Sequence, residues 1–418
     1  TAASAYGRQM GQHDDLLHRH QPGVKYDSME QYFADSPEQW TANPGNELRR
    51  ADTGDARGEV LATGAQLSLA QLAAGTYASG AEVRGDDLIG NPRRNYREQY
   101  VALRLARPDL RNRMYGHAVE AGGRLWLQYW LYYFYNDYNL ALGIGLHEGD
   151  WEMVQLRMHD DEPDVAVYAQ HRRAEQRPWA QVERVPGDPQ RPLVYVARGS
   201  HASYFQRGFH QTEAWYDLAD GKRNAPRLTL EVIDDDTPPW VGWPGVWGDT
   251  PARVGGIDQP SPRGPAAHGG WRDPNSLLAT AWQPERKDAI EAPAVTIARD
   301  AGRLRIDFDL SRQADEPPTS LQITVNSRDE EGVPPRTYTF GLIETTHGTL
   351  ATRIPLDPAK HYDVYASTTA GTPPIPSESV LTEIDPVGEN QGLPFGEQVL
   401  QRASRAVAWV RGHMPKRR

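Results

Sequence analysis

Along the 418 residues the densest run of chemistry-bearing side chains is Leu146-His147-Glu148-Gly149-Asp150-Trp151-Glu152. If this run opens a strand, Asp150 and Glu152 project from one face, because side chains at i and i+2 share a side. His147, just before the strand, can lean over the same spot. The aromatic run upstream, Trp126 to Tyr135, closes on Asn136-Asp137. One imidazole with two or three carboxylates at a strand mouth makes a site for a divalent cation. Oxygen donors with a single nitrogen suit Mg²⁺, Ca²⁺ or Mn²⁺ better than Zn²⁺. A D-x-E pair on a strand is also the ordinary pattern of a solvated face, and spacing alone leaves both open.

A second histidine stands in Gly199-Ser200-His201-Ala202-Ser203, after the apolar stretch 192–197. Small neighbours at a strand end leave room for a ligand. His201 there can bond an anionic headgroup, act as a general base, or be satisfied inside the fold. Ser200 lacks the Gly-x-Ser-x-Gly elbow of a serine hydrolase. His268, between Ala267 and Gly269, is a further candidate wall of the cleft, with the same readings open.

The elements that must position these residues read as mainly β. The unbroken apolar run from Trp126 reads as a buried strand, and Asp150 to Met158 as its successor. With 38 Gly and 33 Pro spread through the chain, short strands joined by long loops are expected rather than helices. Residues 1–60 form an N-terminal extension with helical possibilities at Met10–His18 and Ser28–Asp35. Residues 61–283 form a β-sandwich core with long loops and peripheral helices. In 292–385 the alternation is clean: Leu304, Ile306, Phe308 and Leu310, then Leu321, Ile323 and Val325. In the tail, 386–418, Val399, Ala403, Ala406, Val407 and Val410 recur at helical spacing among arginines. Such a basic amphipathic helix can dock on a neighbouring domain or lie on an anionic membrane.

Composition narrows the function classes. Without cysteine there is no disulfide scaffold, thiolate zinc site, iron–sulfur cluster or cysteine nucleophile. A formal charge of −11 argues against a nucleic-acid partner. No apolar run is long enough for a membrane-spanning helix. Twelve Trp and 19 Tyr against 7 Phe favour surfaces where a ring stacks on a sugar or sits at a lipid interface.

Three resemblances add to this. Leu146–Glu152 resembles the hallmark heptapeptide Gly-His-Arg-His-Asp-Trp-Glu of the necrosis- and ethylene-inducing peptide-like proteins. His147, Asp150, Trp151 and Glu152 match; Leu146, Glu148 and Gly149 depart. That family consists of secreted, single-domain β-sandwich cytolysins that bind a sphingolipid headgroup near a divalent cation. The resemblance implies that Asp137 completes the cation site with His147, Asp150 and Glu152. A longer stretch, roughly 95–275, resembles the vacuolar protein sorting-associated protein 62 family. It shares His147–Glu152, Tyr195-Val-Ala-Arg-Gly-Ser-His201-Ala-Ser-Tyr204, Trp243-Pro-Gly-Val-Trp247-Gly and the segment Ser261 to Trp271. This implies a fold and a site rather than a substrate. The run Leu356-x-Pro358-x-x-x-Tyr362-x-Val364-x-Ala366 resembles the end of a fibronectin type III domain, with Phe308 where that family usually has Trp. Such a module is a spacer or an adhesive surface.

The reading that joins these features is a binding protein. A cation held by Asp137, His147, Asp150 and Glu152, with His201, Trp151 and His268 around it, recognises a lipid headgroup or glycan, with a membrane surface as one setting. Secretion or the cell surface is the expected location, and a cytoplasmic one is compatible. The rival is a metal-dependent hydrolase or lyase with His201 as general base. A third reading makes the cation a staple in a structural component of an assembly. In the binding reading, His201 stands at a different strand end from the His147–Glu152 cluster and is not needed by the cation.

Overall fold

The computed structural model describes residues 13–387, apart from 54–56, 139–144, 172, 212–215, 251–262, 282–292, 312–317, 330–334, 343–345, 371–374 and 378. The expected tail helix therefore lies outside the described residues. The chain divides into two compact units, Thr1–Ala289 and Ile290–Arg418.

The first unit is mainly β. Its strands are β1 (Gly23–Tyr26), β2 (Glu47–Arg49), β3 (Val60–Thr63), β4 (Leu88–Gly90), β5 (Arg113–Ala121), β6 (Arg124–Asn136), β7 (His147–His159) and β8 (Glu162–Gln170). They continue with β9 (Arg173–Pro178), β10 (Arg184–Val185), β11 (Asp188–Val196), β12 (Ser203–Tyr204), β13 (Gly208–Gln211), β14 (Tyr216–Ala219), β15 (Arg223–Asn224) and β16 (Thr229–Val232). A six-stranded sheet runs β16-β5-β6-β7-β8-β9, and a second runs β10-β11-β1-β15 with β12 on β11. A small sheet β3-β2-β4 and the hairpin β13-β14 complete the unit.

β6 is buried on both faces, so its sequence shows no polar alternation. Register with β7 sorts the faces: Leu131 opposes Glu152, Tyr133 opposes Asp150 and Tyr135 opposes Glu148. Asp150 and Glu152 thus share a face, the one on which Tyr168 of β8 reaches Leu193 O of the second sheet at 3.1 Å. On the other face, Trp130, Tyr132 and Trp151 pack with Trp240, Trp247 and Trp271. The aromatic excess is therefore core. Trp40, Trp126, Trp130, Trp243, Trp247 and Trp271 are all fully buried, where an indole contributes more by burial than it would on a surface.

The N-terminal segment belongs to this core. Leu16, Leu17, Tyr26, Tyr32, Phe33 and Trp40 share the main hydrophobic cluster with β5–β8. A helix forms at Asp14–Arg19, whereas Ser28–Asp35 is irregular. The reason is side-chain capture of its backbone donors. Met29 N bonds Asp27, Gln31 N and Tyr32 N bond Glu30, Phe33 N bonds Tyr100 and Ala34 N bonds Tyr26. Each replaces a helical bond.

The second unit holds β17 (Ala294–Asp300), β18 (Arg303–Asp309), β19 (Ser320–Ser327), β20 (Arg336–Gly341), β21 (His347–Pro355), β22 (Tyr362–Ala370), β23 (Ile375–Pro376) and β24 (Val380–Ile384). One sheet is β17-β18-β21; the other is β20-β19-β22, with β23 and β24 both on β22. The Tyr362 hydroxyl accepts from Asp357 N at 3.0 Å, closing the tyrosine corner of this sandwich class. Its core, built on Ile306, Phe308, Leu321, Ile323 and Val364, is its own cluster.

Candidate functional site

The mouth of the first unit is where β6 ends, β7 begins and the 197–202 loop follows β11. Two glycines permit its tightness. Gly199 has φ +73, and a Cβ on it would meet Asp137 O at 2.7 Å, so the loop lies directly on the end of β6. Gly149 has φ +59, and a Cβ there would meet Trp247 O at 2.3 Å. Only glycine tolerates both the left-handed backbone and the contact. This explains the departure from the heptapeptide pattern at Gly149: its second histidine has no room.

His201 is the centre of a buried ion cluster. Its Nδ1 bonds Asp150 Oδ2 at 2.8 Å, and its Nε2 lies 3.5 Å from Glu30 Oε1, long for a hydrogen bond but within ion-pair range. The ring stacks on Tyr133 with centroids 3.8 Å apart. Burial pulls the imidazole pKa down, but Glu30, Asp150 and their bonds outweigh it and raise it to about 9. Burial pushes Glu30 up, yet the His201 charge, with bonds from Gly199 N and Tyr32 N, leaves it below the usual range. An imidazolium between two carboxylates is a structural strut.

This corrects three expectations. His201 is completely buried and bonded to Asp150, so it is neither apart from the cation cluster nor open to a ligand. With Nδ1 bonded to Asp150 and no exposed atom, it does not reach a substrate proton as a general base would. Trp151 faces away from Asp150 and Glu152 because strand neighbours alternate, and it packs on Tyr132 and Trp247. His268 lies over Trp130, on that same opposite face, with Nε2 2.9 Å from Arg263 O.

The expected cation residues converge in part. His147 Nδ1 lies 2.9 Å from Gly149 O. A carbonyl only accepts, so Nδ1 carries the proton and, in the neutral ring, Nε2 carries the lone pair. Burial lowers the His147 pKa despite the Asp150 charge, which favours that neutral form. Nε2 is 3.9 Å from Asp150 Oδ1, so two acceptors face each other. Glu152, on the same face as Asp150, keeps partial solvent access. Its pKa is nonetheless well raised, first by desolvation and then by Asp150 and Asp217. Asp137 is half-buried at the end of β6, near enough to raise the phenol pKa values of Tyr32 and Tyr135 further. Among the described residues no three His, Asp or Glu side chains form a ready-made metal cage.

Glu148, which the sequence marked only as a departure from the heptapeptide, is a staple. Its carboxylate accepts from Asn91 N, Tyr96 OH and Asp249 N, tying the loops around β4 to the start of β7. Three further residues of the mouth were also missed: Glu30, His171 and Asp217. Glu30 and Asp217 reach the mouth from distant segments with no local signal. His171 was readable as a polar residue between two β-rich runs, but not as part of this site.

No protein family and no curated protein matches the chain. Among solved structures it is similar to necrosis and ethylene inducing protein 2 from the causal agent of cocoa's witches' broom disease. That likeness has 13% identity over 64% of this chain and 90% of the other, at a TM-score of 0.30. It is also similar to NLPPya in complex with glucosamine, at 10% identity over 64% and 89%, TM-score 0.31. The fn3 domain of human collagen alpha-1(XX) is similar at 16% identity over 26% of this chain and all of that domain, TM-score 0.19. At these scores the likenesses carry no argument about the site. Among the described residues no helix is long and apolar enough to cross a membrane.

Proposed function

We propose that the first unit is a binding protein whose mouth takes a divalent cation and, through it, a polar headgroup or glycan. His147, Asp150 and Glu152 would hold the ion, with Asp137 beside them. The observation that carries this is the facing pair of acceptors, His147 Nε2 and Asp150 Oδ1, at 3.9 Å. Two lone-pair donors held face to face repel unless a positive centre lies between them. Ligands about 2.0–2.6 Å from one cation stand roughly 3–4 Å apart, which fits this separation. Glu152, crowded by Asp150 and Asp217, is a second acceptor that a cation would relieve.

The donor set is oxygen-rich with one nitrogen, suited to Ca²⁺, Mg²⁺ or Mn²⁺. When bound, such an ion supplies open coordination positions for hydroxyl, carboxylate or phosphate oxygens. The protein's part is to fix the donors: Gly149 O sets the His147 tautomer, His201 pins Asp150 and Glu30 pins His201. The motif likenesses to the necrosis- and ethylene-inducing and vacuolar protein sorting-associated families agree with this placement. The hydrolase reading asks of His201 an access to substrate that its complete burial does not give.

The test is a thermal scan with and without Ca²⁺, Mg²⁺ and Mn²⁺, because a ligand that binds the folded state raises its melting temperature by mass action. Glu152→Gln separates the two effects of that carboxylate. Without metal the variant should melt higher than wild type, since an amide removes the cost of burying an ionisable carboxyl beside Asp150 and Asp217. With metal its shift should be smaller. A wild type that shows no shift with any of the three ions would end this reading. Glucosamine and mannosamine, each found in complex with NLPPya, are natural first ligands for a binding assay.

A further inference from the structure

At the rim of the same mouth stands a second histidine–carboxylate pair. Asp217, at the start of β14, is fully buried and accepts three side-chain bonds. His171 Nε2 lies 2.8 Å from Oδ2, Ser200 Oγ is 2.7 Å from Oδ1, and the Tyr204 hydroxyl also donates to Oδ2. A carboxylate so supplied stays ionised. Burial raises its pKa, but His171 and the hydroxyls bring it below the usual range. His171 occupies the turn between β8 and β9 with φ +51, a backbone region that a non-glycine residue enters at some cost. Its side chain retains 18% exposure, and the Tyr138 ring lies 5.4 Å away.

Of the two histidines bonded to carboxylates here, His201 is sealed and His171 is open. Asp217 fixes the proton on His171 Nε2, leaving Nδ1 as the nitrogen without a partner among the described residues. Desolvation pulls the His171 pKa down, but Asp217 outweighs it and the net direction is upward. The ring is thus disposed to carry a proton on Nδ1 as well. The dyad is close enough to the cation cluster for Asp150 to raise His171 and for Asp217 to raise Glu152.

We propose that His171, oriented by Asp217, is the ligand-contacting residue of this mouth and donates from Nδ1 to an anionic oxygen of a phosphate monoester. The proposal rests on the reading of the mouth as a ligand site. Charge favours this ligand class over a neutral polyol. The His171 charge is balanced by Asp217 and the His201 charge by Glu30, and the cation of the proposed reading offsets Asp150, so the open Nδ1–H presents its positive end to the ligand without a net negative dyad behind it. A charge-assisted bond to a phosphate oxygen is about twice as strong as one to a hydroxyl. Ser200 and Tyr204 are positioning residues, since they touch Asp217 and not the ligand.

The test uses the full chain and calorimetric titration with glucose 6-phosphate and with glucose. A second arm measures co-sedimentation with phosphatidylcholine vesicles that do or do not contain phosphatidylinositol 4-phosphate. The soluble arm reports a free sugar phosphate and the vesicle arm a lipid headgroup, and at least one must bind. His171→Gln retains an amide donor toward Asp217 and so keeps the dyad's local structure. It should lose about tenfold or more in affinity for the phosphorylated probe while keeping the wild-type cation shift. In wild type the His171 imidazole ¹⁵N resonances should move as glucose 6-phosphate is added. Unchanged affinity in His171→Gln, equal binding of glucose and glucose 6-phosphate, a silent His171 resonance, or no binding in either arm overturns the proposal. The wild-type cation shift is read separately, so loss of the cation reading and loss of this one are told apart.

Discussion

Gly149 sits between the residues that carry the proposed chemistry and sets what they can do. Its left-handed φ and the Trp247 carbonyl behind it let β7 begin flush against the 243–248 turn, and its own carbonyl takes the His147 proton. Gly149→Ala should therefore fail twice, on backbone conformation and on contact. An αL conformation costs a β-carbon residue about 1 kcal/mol, and displacing Trp247 adds to it. A loss of about 2 kcal/mol or more in urea unfolding is expected, with the cation shift weakened because His147 would lose its anchor. A variant as stable as wild type would show that the turn relaxes freely. The matching of His147, Asp150 and Glu152 to a cation-site pattern was readable from residue types and spacing. The sealing of His201 was not, because its partner Glu30 lies 171 positions away in a stretch without periodicity.

Strands and loops differ in how much of them the sequence discloses. β6 and β7 were evident because an unbroken aromatic run with no Gly or Pro can only be a buried element, and a D-x-E pair then needs one shared face. The 28–35 segment was misread as helical because its donors are taken by side chains of Asp27, Glu30, Tyr26 and Tyr100, a tertiary arrangement that local pattern does not encode. That same segment carries a pH-sensitive joint. Asp27 accepts from Met29 N and Asp220 N, and Asp220 accepts from Ser28 N and Oγ. Burial, then the Asp220 charge, raises the Asp27 pKa to about 7. The unfolded chain releases this proton near ~4, so between those values the folded state holds more protons. Stability from this group is full below about pH 4 and falls as pH rises through about 7. Relative to Asp27→Asn, whose side chain does not titrate, wild type should lose about 2 kcal/mol between pH 5 and pH 7. Urea unfolding of both proteins across that range reads the difference. A gap that stays constant with pH would mean that Asp27 is ionised throughout.

At the scale of the whole molecule the chain divides into two compact units, and the two were unequally legible. The second unit was visible because strands such as β18 alternate in period two toward their own sandwich, with Phe308 filling the place of a Trp and Tyr362 forming its corner. The first was visible only as β-rich, since its central strands β6 and β7 are buried on both faces and its N-terminal segment folds into the same core. If the cores are independent, a chain cut between Gln283 and Ala292 should give a second unit that folds alone. The physical warrant is that Ile297, Leu304, Ile306, Phe308, Leu321, Ile323, Ile354, Val364 and Ile384 form one closed cluster drawn entirely from this unit. A sandwich of about 100 residues with its own core is large enough to be stable. The expected result for the 290–387 fragment is a dispersed amide spectrum and a cooperative urea transition. The excised 1–289 fragment should keep the cation shift of the whole chain, because every residue of the proposed mouth lies within it. A collapsed amide spectrum for 290–387 would mean that this sandwich depends on the first unit. A first unit that folds but loses its cation shift would place part of the binding chemistry beyond residue 289.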